Sequence, residues 1–199
     1  EKAKEFFETG LERVFTRMRE NHHPDYPLTI FYAFKQSEVD ESDDENGTSP
    51  IASTGWETML EGLVKAGFSI TGTWPMRSEL SNRTVARGAN ALASSIVLVC
   101  RPRPENAPSI SRRELITALK KELPEALRQL QQGNIAPVDL AQAAIGPGMA
   151  VFSRYAQVLE ADGSPMPVRT ALQIINQLLD EFLAEQEGVA GAVDIVALL

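Results

Sequence analysis

Trp74-Pro75-Met76-Arg77 is the point in this 199-residue chain where residue types and spacing best suit chemistry. An indole beside a proline offers a flat apolar face. The arginines that follow, Arg77, Arg83 and Arg87, suit phosphate oxygens. Together they fit a base flipped out of a duplex, with the ring stacking on it and the guanidinium groups holding its backbone. Lys35 and Gln36, which end an earlier apolar strand, belong to the same set if both strands finish at one edge of a sheet. In an α/β sheet the ligand crevice lies outside the carboxyl ends of the parallel strands. A core Trp capping a hairpin, with solvated arginines after it, uses the same residues. The residue types alone leave both arrangements open.

Other patterns offer less. His22 and His23 are adjacent, so on an extended loop they point in opposite directions and make no ready metal pair. No Gly-x-Gly-x-x-Gly follows a strand, and no Gly-x-Ser-x-Gly elbow presents a nucleophile. The run Asp40-Glu-Ser-Asp-Asp-Glu-Asn-Gly47 lacks the ligand alternation of a calcium loop and has Glu45 where the sixth-position glycine is required. Cys100, the only cysteine, excludes an intrachain disulfide and reads as a small buried hydrophobe on a strand. A cytoplasmic location is expected from that cysteine usage. No apolar stretch approaches a membrane span, and no secretory signal opens the chain, so no membrane partner is expected. A chain that opens on Glu1 is expected to be a fragment of a longer protein.

A hydrophobic content of 43% is enough to bury a core. The net charge of −8 argues against a free-standing nucleic-acid binder, since phosphate neutralisation needs clustered Lys and Arg. Much of the negative charge sits in Glu38 to Glu45. From Arg77 to Arg103 every charge but Glu79 is positive, so a local basic face remains possible on an acidic chain.

The elements that must position these residues follow from periodicity. Ala3 to Glu20 is an amphipathic helix with Phe7, Leu11, Val14, Phe15 and Met18 on one face. Pro27 to Phe34 is a buried strand. Ser37 to Ser53 is a polar, acidic loop. Thr54 caps a helix over Gly55 to Ala66, which Gly67 ends in the left-handed conformation. Phe68 to Trp74 is a strand closed by Pro75, and Ala93 to Arg101 is a third strand behind the Arg-rich loop Pro75 to Leu92.

Arg101 to Pro108 is a proline-rich linker, and everything after it reads as helix. Ser111-Arg-Arg-Glu114 is a capping box opening a helix to about Gln132, which Pro124 should kink or divide. A helix from Pro137 is expected to break at Gly146-Pro-Gly148 and resume from Met149 to Glu160. Asp162-Gly163 is a turn, and Val168 to Gln186 is a long amphipathic helix. The last residues, Gly188 to Leu199, show no clear period.

The order helix, strand, helix, strand ending in Thr73-Trp74-Pro75-Met76-Arg77, and then Ala93-Ser-Ser-Ile-Val-Leu-Val-Cys100 resembles the end of the catalytic domain in adenine-specific (N6-adenine) DNA methyltransferases. It is close to the large type that carries a zinc ribbon elsewhere. The resemblance covers about half of the chain. It implies that Leu28 to Phe34, Ser69 to Trp74 and Ser94 to Arg101 correspond to the fifth, sixth and antiparallel seventh strands of a Rossmann-like sheet. It also implies that Trp74, Pro75 and Arg77 lie near the target base. In that fold the fifth strand lies between the fourth and the seventh.

The Asp/Asn-Pro-Pro-Tyr/Phe tetrapeptide and the glycine-rich cofactor turn of that family are absent from this chain. The expected organisation is therefore α/β. Residues 1–104 would form the second half of a Rossmann-like methyltransferase domain, three strands with flanking helices, and residues 105–199 a mainly helical domain.

By resemblance the parent uses S-adenosylmethionine, while this chain holds neither cofactor nor catalytic residues and is inactive alone. Its expected partners are DNA through the parent, the remainder of the methyltransferase, and a second copy of itself when isolated. Restriction–modification is the implied setting. A non-enzymatic interaction module docking through Val168 to Gln186, or a degenerate methyltransferase remnant, are the alternatives.

Overall fold

The apolar stripe Leu11, Phe15 and Met18 folds as expected into helix α1 (Lys2–Asn21). Phe15 is driven into the core against Gly62, where an added Cβ would stand 3.1 Å from its ring. The computed structural model describes residues 2–33, 54–77, 94–132 and 137–196. After α1 come strand β1 (Leu28–Ala33), helix α2 (Thr54–Lys65), and strands β2 (Phe68–Arg77) and β3 (Ser94–Pro102). Gly67, at φ +83°, ends α2, and its N–H donates to the Val64 carbonyl at 3.1 Å. Only a residue without a Cβ takes that left-handed turn cheaply.

The three strands form one sheet in the order β1-β3-β2, with β3 antiparallel to both neighbours. β1 and β2 therefore run in the same direction. Pro75 does not close β2 as the sequence suggested. The strand continues to Arg77, with Pro75 paired to Ile96. β2 lies at the sheet edge, where a residue without an N–H breaks no ladder on its outer side.

Alternation gives the sheet two unlike faces. One carries Leu28, Ile30 and Tyr32 of β1, Ile96, Leu98 and Cys100 of β3, and Phe68, Ile70 and Thr73 of β2. Trp56, Leu60 and Leu63 of α2 are fully buried in the same core as these residues, and Trp56 meets Tyr32 at a centroid distance of 5.2 Å. The other face carries Thr29, Phe31, Val97, Val99, Gly72, Trp74 and Met76. A bulge between Ile70 and Gly72 shifts the register of β2 and allows both faces to persist along it.

Among the described residues the second half contains β4 (Ser109–Ser111), α3 (Arg112–Gln132), α4 (Pro137–Ser153), β5 (Gln157–Leu159) and α5 (Val168–Val196). The capping box forms. The Ser111 N–H donates to the Glu114 carboxylate at 2.7 Å and the Glu114 N–H to Ser111 Oγ at 3.3 Å. The Ser111 N–H bond, together with the Ser111 hydroxyl donating to the same carboxylate at 2.7 Å, holds the Glu114 carboxyl below the usual carboxylate range.

Three expectations for this half need correction. α3 is not divided at Pro124 but runs as one element, because Leu115, Leu119, Leu123 and Leu127 are buried along its length and that packing outweighs one lost backbone bond. α4 is not interrupted at Gly146-Pro147-Gly148. Its two glycines are contact points, for a Cβ on Gly146 would overlap the Thr73 side chain and one on Gly148 would stand 2.6 Å from Ile175. Nor does Met149 to Glu160 continue as helix. α4 stops at Ser153, and Gln157–Leu159 instead pairs parallel with Ser109–Ser111.

A single apolar core runs from Phe15 through the sheet to Val158 and Phe182, across the 104/105 position. Arg103, just before that position, is tied on three sides. Its N–H donates to the Gly67 carbonyl at 2.8 Å, and its guanidinium donates to the Ser153 carbonyl at 3.2 Å and the Val64 carbonyl at 3.1 Å. Positive charge at the carbonyl ends of α2 and α4 is favourable. The start of α5 is held by α2, with Glu61 accepting from the Val168 N–H at 3.1 Å and Glu57 pairing with Arg169 at 2.9 Å. Among the described residues no helix is long and apolar enough to cross a membrane.

Candidate functional site

Trp74 stands on the open face of the sheet. It is 56% exposed, whereas the other tryptophan, Trp56, is 1% exposed. Trp74 is thus a surface residue and not a core cap. Its seat is Gly72, two residues earlier on the same face, where an added Cβ would stand 2.8 Å from the indole. The ring lies over the backbone of its own strand and turns the rest of its surface to solvent.

Phe31, which sequence reasoning did not single out, completes the arrangement. The register places Phe31, Val97 and Trp74 side by side across β1, β3 and β2. Phe31 is 67% exposed, and Val97 lies buried between the two rings. The strand spacing puts Phe31 and Trp74 about 10 Å apart. Period-2 alternation was the available signal, since Thr29 and Phe31 share one face and Leu28, Ile30 and Tyr32 the other. It was hidden because nearly every residue of the run is apolar.

The other expected contacts are placed unevenly. Pro75 and Arg77 occupy the last rungs of β2 by their backbone, Arg77 paired with Ser94. Ala33, at the end of β1, pairs with Ser95, which pairs on its other side with Met76. β1 and β2 therefore end together, and in sequence Lys35 follows β1 while Arg83 and Arg87 follow β2. These three residues lie outside the described residues, as do the acidic run Glu38 to Glu45 and most of the loop Pro75 to Leu92.

Charge distinguishes the sheet from the rest of the chain. β1, β2 and β3 contain no Asp or Glu, and their two charged residues are Arg77 and Arg101. Arg101 is exposed, lies on the same face as Val97 and Val99, and donates to the Asp25 carbonyl at 3.4 Å. Arg103 is less basic than an ordinary arginine, first because it is partly buried and second because Arg19 lies nearby.

The remaining candidates are structural. Burial pushes the Cys100 thiol up to about 12, so it carries no thiolate near neutrality. His22 packs edge-on against Phe68 and His23 against Tyr26. Among the described residues no group of three His, Cys, Asp or Glu side chains is placed to hold a metal. A groove of about 160 Å³ between α3 and α5 is lined by Leu119, Leu123, Leu127, Leu178 and Phe182, with Lys120 and Glu181 pairing at 3.6 Å.

Comparison with protein-family models, with curated proteins and with solved structures finds no match to this chain.

Proposed function

We propose that the chain is a non-catalytic part of an S-adenosylmethionine-dependent DNA adenine-N6 methyltransferase, with the end of the sheet beyond Ala33 and Arg77 turned toward DNA. One observation carries this reading. β3 pairs with β1 and runs antiparallel to it, as implied for the fifth and the antiparallel seventh strands of a Rossmann-like methyltransferase sheet. On this reading Trp74, Pro75 and Arg77 face the target base, Lys35, Arg83 and Arg87 contact its backbone, and the cofactor and the active-site tetrapeptide are held by the rest of the parent.

The outer edge of β1 supports a partner there. Its sequence, Leu-Thr-Ile-Phe-Tyr-Ala, has none of the charges, prolines or bulges that protect an edge strand. The helical half packs on β2, at the other side of the sheet. In the parent this edge takes the next strand of the sheet, and in the isolated chain a second copy takes it.

The test is expression of this chain as one polypeptide with its encoded upstream segment. That segment should contain an Asp/Asn-Pro-Pro-Tyr/Phe tetrapeptide and a glycine turn, and the product should form N6-methyladenine in DNA. The 199-residue chain alone should show no saturable binding of S-adenosylmethionine in calorimetry. Micromolar binding by this chain alone, or an upstream segment without the tetrapeptide, overturns the reading.

A further inference from the structure

We infer that the row Phe31–Val97–Trp74 is a stacking floor for unpaired bases of single-stranded DNA. The inference rests on the DNA-facing reading of this sheet and adds to it a particular face and a particular partner chemistry.

Four features of the open face favour that occupant. First, two of its three large exposed side chains, Phe31 and Trp74 but not Met76, are aromatic rings in line across three strands, with buried Val97 between them in the register. Second, Gly72 seats the Trp74 ring against the strand and leaves the remaining ring surface open, as a stacking platform requires. Third, Thr29, Gly72 and Ser95 stand around the rings beside Val99 and Met76, and the face holds none of the Leu and Ile of the opposite face. A face meant for another apolar layer would carry more aliphatic bulk, whereas flat rings amid small residues suit a flat partner. Fourth, charge is complementary. In a chain of net charge −8 the three strands hold no carboxylate, and exposed Arg101 stands four residues along β3 from Val97 on the same face. A strand of DNA laid across the face meets rings for its bases and a guanidinium for a phosphate, and no fixed negative charge on the strands repels it. Sheets that bind single strands use this combination, and stacking tolerates any base because every base has a π-face.

The experiment titrates the 199-residue chain with a short oligodeoxythymidylate and follows tryptophan fluorescence. Only Trp74 of the two tryptophans is exposed, so a stacked base should quench that component. Trp74→Ala and Phe31→Ala should each weaken binding by about tenfold or more, measured for both by anisotropy of a labelled oligonucleotide. Trp74→Phe should retain most of it. Arg101→Ala should lower the dependence of log affinity on log salt by about 0.7.

Binding that is absent, or that Trp74→Ala and Phe31→Ala leave unchanged, overturns the inference. Sedimentation showing a dimer that Trp74→Ala dissociates also overturns it, since the face would then belong to a second copy of the chain. The family reading is judged separately, by adenine methylation in the longer polypeptide. Either can therefore fail while the other stands.

Discussion

The two faces of one three-stranded sheet are built for different surroundings. The covered face presents Ile30, Ile70, Ile96 and Leu98 to a core shared with α2 and the helical half, while the open face presents Phe31, Trp74 and Met76 to solvent. The two sides of the sheet differ likewise. The outer side of β2 is met by α4, whose buried Ser153 Oγ accepts the Ile70 N–H at 2.8 Å, and among the described residues β1 has only β3 as its strand neighbour. Apolar residues in a strand therefore do not all report burial. In this sheet Phe68, Ile70, Ile96 and Leu98 lie in the core, whereas Phe31, Trp74 and Met76 of the same strands lie exposed on the other face.

That contrast can be broken by mutation, and the largest effect belongs to the covered face. Leu60→Ala, at a fully buried position on α2, should lower unfolding free energy by about 3 kcal/mol in urea titration. A loss under about 1 kcal/mol would mean the core there is loosely packed. Gly146→Ala should cost about 2 kcal/mol, because its Cβ forces Thr73 of β2 and α4 apart. The same titration reads it, and a neutral result would remove the close approach of α4 to the sheet. Ser153→Ala should cost about 1–2 kcal/mol, since it leaves the Ile70 N–H buried without its acceptor. Hydrogen exchange at Ile70 should speed up in this variant, and unchanged protection there would show that the edge of β2 is not closed by α4. The smallest effect belongs to the open face. Phe31→Ser should change stability by no more than about 0.5 kcal/mol, as expected of an exposed site. A loss as large as that of Leu60→Ala would show that Phe31 is covered in solution.

Much of this architecture was legible from local pattern. The stripe of α1, the Thr54–Gly67 bounds of α2, the capping box at Ser111 and the turn at Gly163 all depend on neighbours a few residues apart. The three strands of the sheet could also be placed, because their apolar runs leave few other fates. Pro75, Pro124 and Gly146-Pro147-Gly148 misled, and for one reason. Each is a breaker by local propensity, yet each sits where tertiary context removes or offsets its cost. Pro75 is on a sheet edge, Pro124 is in a helix held by four buried leucines, and the glycines are where α4 must touch Thr73 and Ile175.

For the candidate site the sequence by itself determined the ingredients. It placed an indole and arginines after a strand and left that strand without carboxylates. The tertiary structure decided the rest. Strand order put the ends of β1 and β2 together, register set Phe31 in line with Trp74, 43 positions further along the chain, and the bulge beside Gly72 fixed the face on which the ring lies. Alternation along one strand says which residues share a face. Only pairing between strands says which of those faces become one surface, and that depends on contacts distant in sequence, whose choice is made by burial of the whole core.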